Sequence, residues 1–263
     1  MNEINKLDGI GKSGYSLNVS STFDEILKYF KKTFLLNGLV GFILYAAFLI
    51  LMVLLLGGLG VNFMDLQDNE TMLNFFSSTN FIIYSALAGF FIQILIYPIY
   101  AGFIQLNRDI DTQEEVGIGN IFKIFKSKKY IHVLGFCIIT FLLTNIPAVL
   151  FSVFKISFVG TIITYLVTFL SILGLPLILF SNLNSLQALK YSAQLVVKNP
   201  GSILAISLLS FLIAMLGIFG CFIGLFFTIP VFFSTQFVLY KKIVGFDDDE
   251  FVFDIEKKDI FKL

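Results

Sequence analysis

Four groupings of residues have the types that could do chemistry. The run Gly9-Ile10-Gly11-Lys12-Ser13 has the close of a phosphate-binding loop, in which glycines let backbone amides approach a phosphate and the lysine reaches it. The loop's opening glycine should fall at position 6, which is Lys6, and no buried strand leads into it. The stretch is therefore expected to be part of a flexible polar leader. His132 is the one histidine of the chain, and Cys137 follows five residues later, a spacing that does not stack on a helix face. A metal centre needs several such ligands, so His132 is expected to be an interfacial histidine. The run Asp247-Asp248-Asp249-Glu250 lacks the alternating ligands and central glycine of a calcium loop and reads as a solvated acidic segment. No catalytic, cofactor-binding or metal-binding residue is expected, and no cofactor; the chain is not expected to be an enzyme.

The fourth grouping is neutral. Gln93, Asn145 and Gln236, with several threonines, are polar residues inside long apolar stretches. Between helices in a membrane such groups act as hydrogen-bond glue, worth on the order of 0.6–2 kcal/mol each, or they line a polar path. An ionisable residue at mid-membrane would mark an ion or proton path. None stands there in the sequence. Pro98, Pro176 and Pro230 are candidate kinks, because proline frees the carbonyl one turn back.

The elements that hold these residues follow from where charge is missing. No Asp, Glu, Lys or Arg occurs from Thr33 to Met64, Thr71 to Asn107, Tyr130 to Phe154, Ile156 to Leu189 or Asn199 to Tyr240. A hydrocarbon core about 30 Å thick is crossed by roughly 20 apolar helical residues. The last stretch is long enough for two crossings, with Gly217, Gly220 and Gly224 at the turn between them. The expected fold is an all-α polytopic membrane bundle with spans at about 35–57, 80–106, 131–152, 156–181, 202–218 and 221–240. Residues 1–20 form the leader, 21–243 the membrane domain and 244–263 an acidic and basic cytoplasmic tail. Cys137 and Cys221 fall inside spans and are expected to be free thiols.

Lysine and arginine in short connections resist translocation. Alternate connections and the two ends carry 17 of the 18 basic residues, leaving only Lys155 on the other side, so both termini are expected to be cytoplasmic. The first outer loop is acidic, with Asp65, Asp68 and Glu70. Acidic and basic residues are equal in number, which argues against a nucleic-acid partner. Three segments before the odd spans have amphipathic spacing. The first opens with a capping box, Thr22 and Glu25, and places Phe23, Ile26, Leu27, Phe30 and Phe34 on one face. The second offers Ile121, Phe122 and Phe125; the third offers Leu186, Leu189, Val196 and Val197. Each is expected to lie in the headgroup layer, giving a threefold unit of interfacial helix, span and proline-containing span. Lys31, Lys32, Lys128, Lys129, Lys198, Lys241 and Lys242 are the candidate headgroup contacts.

The stretch from Ser185 to Ser192, then Lys198-Asn199-Pro200, Gly217 to Gly224, Thr228-Ile229-Pro230 and Tyr240-Lys241-Lys242 resembles a known closing module. It is that of bacterial proteins grouped with the membrane domain of glycerophosphoryl diester phosphodiesterases, and Thr22 to Thr33 is similar to that family's entry helix. The resemblance implies a six-span protein of the bacterial inner membrane and transfers no catalytic residue. The soluble barrel that carries the family's phosphodiesterase activity has no room beside the spans. The expected role is non-catalytic: a scaffold or accessory subunit touching membrane lipids, another membrane protein or a second copy of itself. The alternative is a permease for a small neutral or lipid-like solute.

Overall fold

The computed structural model describes residues 3–58, 79–112, 116–220 and 223–246, with side chains described over 3–50, 89–112, 116–220 and 223–246. Among them the chain is helical throughout, with no strand. The helices are α1 (Glu3–Ser13), α2 (Val19–Gly58), α3 (Thr79–Asp111), α4 (Ile118–Phe122), α5 (Tyr130–Val153), α6 (Ser157–Leu170), α7 (Gly174–Phe180), α8 (Ser185–Lys198), α9 (Pro200–Met215), α10 (Ile223–Thr228) and α11 (Val231–Ile243). Tighter 3-10 turns follow α4 and α9.

Six segments are long and apolar enough to cross a membrane: Val19–Ile50, Gly89–Asp111, Tyr130–Val153, Ser157–Phe180, Pro200–Gly220 and Ile223–Ile243. The protein is thus a multi-pass membrane bundle. The fourth crossing joins α6 to α7, and the sixth joins α10 to α11. Large apolar side chains such as Leu35, Ile43, Phe91, Leu95, Ile146, Leu150, Phe158 and Leu212 point away from the protein. In water so much exposed apolar surface would drive association; against acyl chains it costs nothing.

The first crossing departs from expectation. No separate interfacial helix precedes it, because α2 runs unbroken from Val19 and no proline interrupts it. Its cap is Asn18 rather than Thr22: the Ser21 amide donates to the Asn18 side chain at 3.0 Å, and Thr22 is buried inside the helix. The buried stripe is Thr22, Ile26, Tyr29, Thr33, Asn37 and Val40, whereas Phe34 is exposed. The second segment is α4 with its 3-10 turn; it buries Ile121 and Ile124 and leaves Phe122 and Phe125 outside. The third is α8, capped by a true capping box between Asn184 and Gln187. It buries Ala188, Tyr191, Ser192, Leu195 and Val196 against neighbouring helices and exposes Leu186 and Val197. In both later segments part of the apolar face packs on protein instead of lipid.

The leader also differs from the flexible segment expected. It forms α1, packed on α8 with Leu7 fully buried. Tyr191 donates to the Asp8 carboxylate at 2.9 Å, and Tyr15 donates to the Leu195 carbonyl at 2.8 Å. Gly9-Ile10-Gly11-Lys12-Ser13 is therefore helix, with no cradle for a phosphate.

The prolines divide. Pro98 sits inside an unbroken α3, while Pro176 stands in the first turn of α7 and Pro230 at the start of α11, just past two breaks. Pro147, inside α5, was not singled out. The break between α6 and α7 is closed by Ser192 of α8. Its hydroxyl donates to the Leu170 carbonyl at 2.7 Å and accepts the Leu173 amide at 3.1 Å, satisfying groups a continuous helix would have paired. All of Gly174 to Leu179 is then buried against neighbouring helices, where packing rather than removal from water holds it. At the turn before α10, Gly217 and Gly224 meet backbone to backbone. A Cβ on Gly217 would lie 2.6 Å from the Gly224 carbonyl carbon, so only glycine fits.

Candidate functional site

The strongest polar chemistry gathers at one end of the bundle, here the basic end, where α2, α3 and α11 meet. Tyr29 projects from α2, Asp111 closes α3 and Lys241 lies in the last turn of α11. The Lys241 ammonium donates to Asp111 at 2.8 Å and to the Tyr29 hydroxyl at 2.9 Å. The Tyr29 hydroxyl in turn donates to the same Asp111 oxygen. Arg108 pairs with the other Asp111 oxygen at 3.2 Å. Glu25, one turn before Tyr29, accepts from Lys242 at 2.7 Å and faces Lys241 at 3.5 Å. The Arg108 guanidinium also lies 3.6 Å above the ring of Phe246. A tyrosine, carboxylate and lysine within hydrogen-bond reach have the types for acid–base work. Here the three groups spend their protons and lone pairs on one another, which makes the cluster a clamp between helices.

Two further layers support it. Asp109, almost wholly buried, accepts from Asn120 at 2.7 Å and Gln105 at 2.9 Å, pinning α4 to α3. Asn107 accepts from Ser234 at 2.9 Å and donates to the Phe103 carbonyl at 2.9 Å. Ser210 and Thr235 share a bond of 2.7 Å between α9 and α11, and Ser181 and Tyr240 share one of 2.8 Å. Asn37 is an exception, as are the Ser207 hydroxyl and one Glu3 oxygen. Asn37 is buried, and among the described residues neither polar atom of its side chain has a partner.

A second feature of the same end is a cleft of about 420 Å³ between the start of α5 and the turn from α7 to α8. It is lined by Ser127, Lys128, Lys129, His132, Ile178, Asn182 and Leu183. Ile178 and Leu183 are buried and form apolar wall, and Asn182 adopts a left-handed backbone at φ 52°, which its short side chain tolerates. The Lys129 ammonium donates to the Leu179 carbonyl near the end of α7. Burial pulls this ammonium below the usual lysine range. The Lys129 amide donates to the Ser127 hydroxyl at 3.2 Å, and Ser185 donates to the His132 carbonyl at 2.8 Å. The first turn of α5 is thereby held against α8.

Of the residues singled out in the sequence, Gln93, Asn145 and Gln236 stand on α3, α5 and α11, each half-buried. Asn145 bonds within its own helix, to the Phe141 carbonyl at 3.2 Å and Thr144 at 3.1 Å. Lys31, Lys32, Lys128, Lys198 and Lys242 are exposed, Lys129 is half-buried in the cleft, and Lys241 is the hub of the clamp. His132 lines the cleft, and Cys137 is a buried free thiol one turn deeper. Asp247 to Glu250, Asp65, Asp68, Glu70 and Cys221 lie outside the described residues. Of the tail, Val244 to Phe246 belong to the packed core, with Phe246 against Phe180, Phe237 and Tyr240. Among the described residues no three His, Cys, Asp or Glu side chains come together as metal ligands.

Tyr29, Asn107, Asp109, Asp111 and Asn120 were not foreseen as a group. The available signal was the crowding of Arg108, Asp109 and Asp111 directly after an apolar stretch, in line with its helical register. In comparisons with protein-family models, curated proteins and solved structures, nothing matches this chain.

Proposed function

We propose that this membrane bundle is non-catalytic and works through contacts with lipids or with another membrane protein, as a scaffold or accessory subunit. In this reading it sits in a bacterial cytoplasmic membrane with the basic end and both termini inside, in line with its resemblance to the membrane domain of glycerophosphoryl diester phosphodiesterases. The observation that carries it is the division of charge at the basic end. Of the acidic residues here Glu25, Asp109 and Asp111 are engaged internally and Asp24 is exposed, while six lysines, Lys28, Lys31, Lys32, Lys126, Lys128 and Lys198, are exposed. Phe34, Phe122, Phe125, Leu186 and Val197 are exposed on the same segments. A basic rim with apolar side chains beside it suits an anionic headgroup layer, each nearby lysine contributing about 1 kcal/mol.

The test is purification in mild detergent followed by lipid and protein mass spectrometry. An anionic lipid or a stoichiometric membrane protein should remain bound. A monomer carrying neither would overturn the proposal.

A second reading, a permease for a small neutral or lipid-like solute, draws on the two broken crossings beside Pro176 and Pro230 and on Asn37, which has no partner among the described residues. Broken membrane helices elsewhere accompany substrate sites. Solute-dependent flux across proteoliposomes, lost in Asn37→Leu, would favour it over the first.

A further inference from the structure

We infer that the cleft between the start of α5 and the α7–α8 turn binds a phosphate ester group, held by Lys128, Lys129 and His132 with Asn182 and Ser127 as further donors. The lipid form of the inference rests on the proposed seating of the basic end in the headgroup layer; a soluble ester does not need it.

Six features of the cleft converge on that chemistry. Its lining residues are cationic or neutral, without a carboxylate to repel an anion. Two ammonium groups, an imidazole, an amide and a hydroxyl supply donors of the kind phosphate oxygens accept, and charge-assisted bonds of this sort are about twice as strong as neutral ones. Lys129 is fixed by its bond to the Leu179 carbonyl, so less side-chain freedom remains to be lost than for the exposed lysines of α2. The wall that bears Lys129 and His132 is the first turn of α5, a helix of 24 residues whose N-terminal end is the positive end of its dipole. The apolar wall of Ile178 and Leu183 strengthens each of these interactions by lowering the local dielectric. At about 420 Å³ the cleft falls within the roughly 300–1,000 Å³ typical of small-molecule sites. It has room for a phosphate and the alcohol it esterifies.

The experiment uses the full chain in phosphatidylcholine nanodiscs. Glycerol 3-phosphate is titrated calorimetrically in one arm, and in the other phosphatidylglycerol is included in the disc and its retention read by native mass spectrometry. Lys128→Gln with His132→Gln leaves the Lys129–Leu179 bond in place, so the fold is kept; Lys155→Gln removes an exposed charge at the far end of α5 as a control. Saturable binding is expected in at least one arm. It should weaken about tenfold or more in the Lys128/His132 pair, as loss of one charged hydrogen bond predicts, and stay unchanged in Lys155→Gln. Binding in the first arm identifies a soluble ester, and retention in the second a lipid headgroup. Absence of saturation in both arms, equal losses in the two variants, or full binding by the Lys128/His132 pair would each overturn the assignment. Co-purification of lipid or partner reads contact anywhere on the protein, so the proposed function can survive failure of the cleft.

Discussion

The clamp at the basic end and the hairpin of α5 and α6 are stabilised by different solvents. Around the clamp, α7, α11 and the inner half of α3 bury nearly every side chain, and charge is paired across helices far apart in sequence. The hairpin has the reverse design. Gly160 is the one buried residue of α6, and Phe158, Ile162, Tyr165 and Leu166 face outward. A protein core holds the first region. The second is held by close backbone approach at Gly160 and by the bilayer, so the two should respond differently to mutation and to detergent.

The comparison is broken most directly at Lys241. Lys241→Met leaves Asp111, Glu25 and Tyr29 facing one another without their shared cation. Removal of one member of this part-buried, hydrogen-bonded charge network costs about 2–3 kcal/mol. Unfolding in detergent should register the full loss, and a wild-type midpoint would show the clamp to be ornamental. Next is Gly160→Leu. A Cβ there would lie 2.8 Å from the Ala148 backbone, so the hairpin must part, at about 2 kcal/mol. Protease sensitivity should appear at the hairpin alone; loss at the basic end as well would mean that the two regions unfold together.

Ser192→Ala sharpens the contrast, because it orphans the Leu170 carbonyl and Leu173 amide at the break in the fourth crossing. A loss of roughly 1–2 kcal/mol is expected, with faster hydrogen exchange at the Leu173 amide. Asn37→Leu should move the other way. It removes buried polar atoms without partners among the described residues and should raise the unfolding midpoint by about 1 kcal/mol equivalent. A fall would mean that Asn37 makes a needed contact.

The smallest effect concerns Tyr15, whose hydroxyl burial pushes up to about 12 from an ordinary 10.0. The folded form holds the proton longer than the unfolded chain does. Its contribution is therefore complete below pH 10 and fades as pH rises towards 12. In wild type α1 should detach progressively over that window, read by proteolysis at its end. In Tyr15→Phe that alkaline step should shrink, what remains coming from the Tyr191–Asp8 bond, whose phenol burial and Asp8 also push up.

The crossings were legible because charge is absent from them in blocks, a signal that survives any error of register. The amphipathic segments were legible only in part. Periodicity finds an apolar face, but it cannot say whether lipid or protein covers it, since both are apolar. Hence Leu186 and Val197, grouped in the sequence with Val196, face outward while Val196 is buried. The clamp was harder still. Tyr29 and Asp111 are separated by 82 residues, and Asp111 and Lys241 by 130, and nothing local to any one of them announces the others. Lys241 looked like a headgroup contact because a lysine at a helix end ordinarily is one. Only the packing of α11 between α2 and α3 brings it inward.

Ribosomal synthesis delivers Glu25 and Tyr29 early and Lys241 late, at a separation of 212 positions between Tyr29 and its ammonium partner. Until the sixth crossing is inserted, a nascent chain carries two carboxylates at the mouth of a half-built bundle with their lysine unmade. Docking of α1 waits as well, for Tyr191 and Leu195. A prematurely terminated product would thus display acidic residues and a loose amphipathic N-terminus together. The last turn of α11, by supplying Lys241, ends that state.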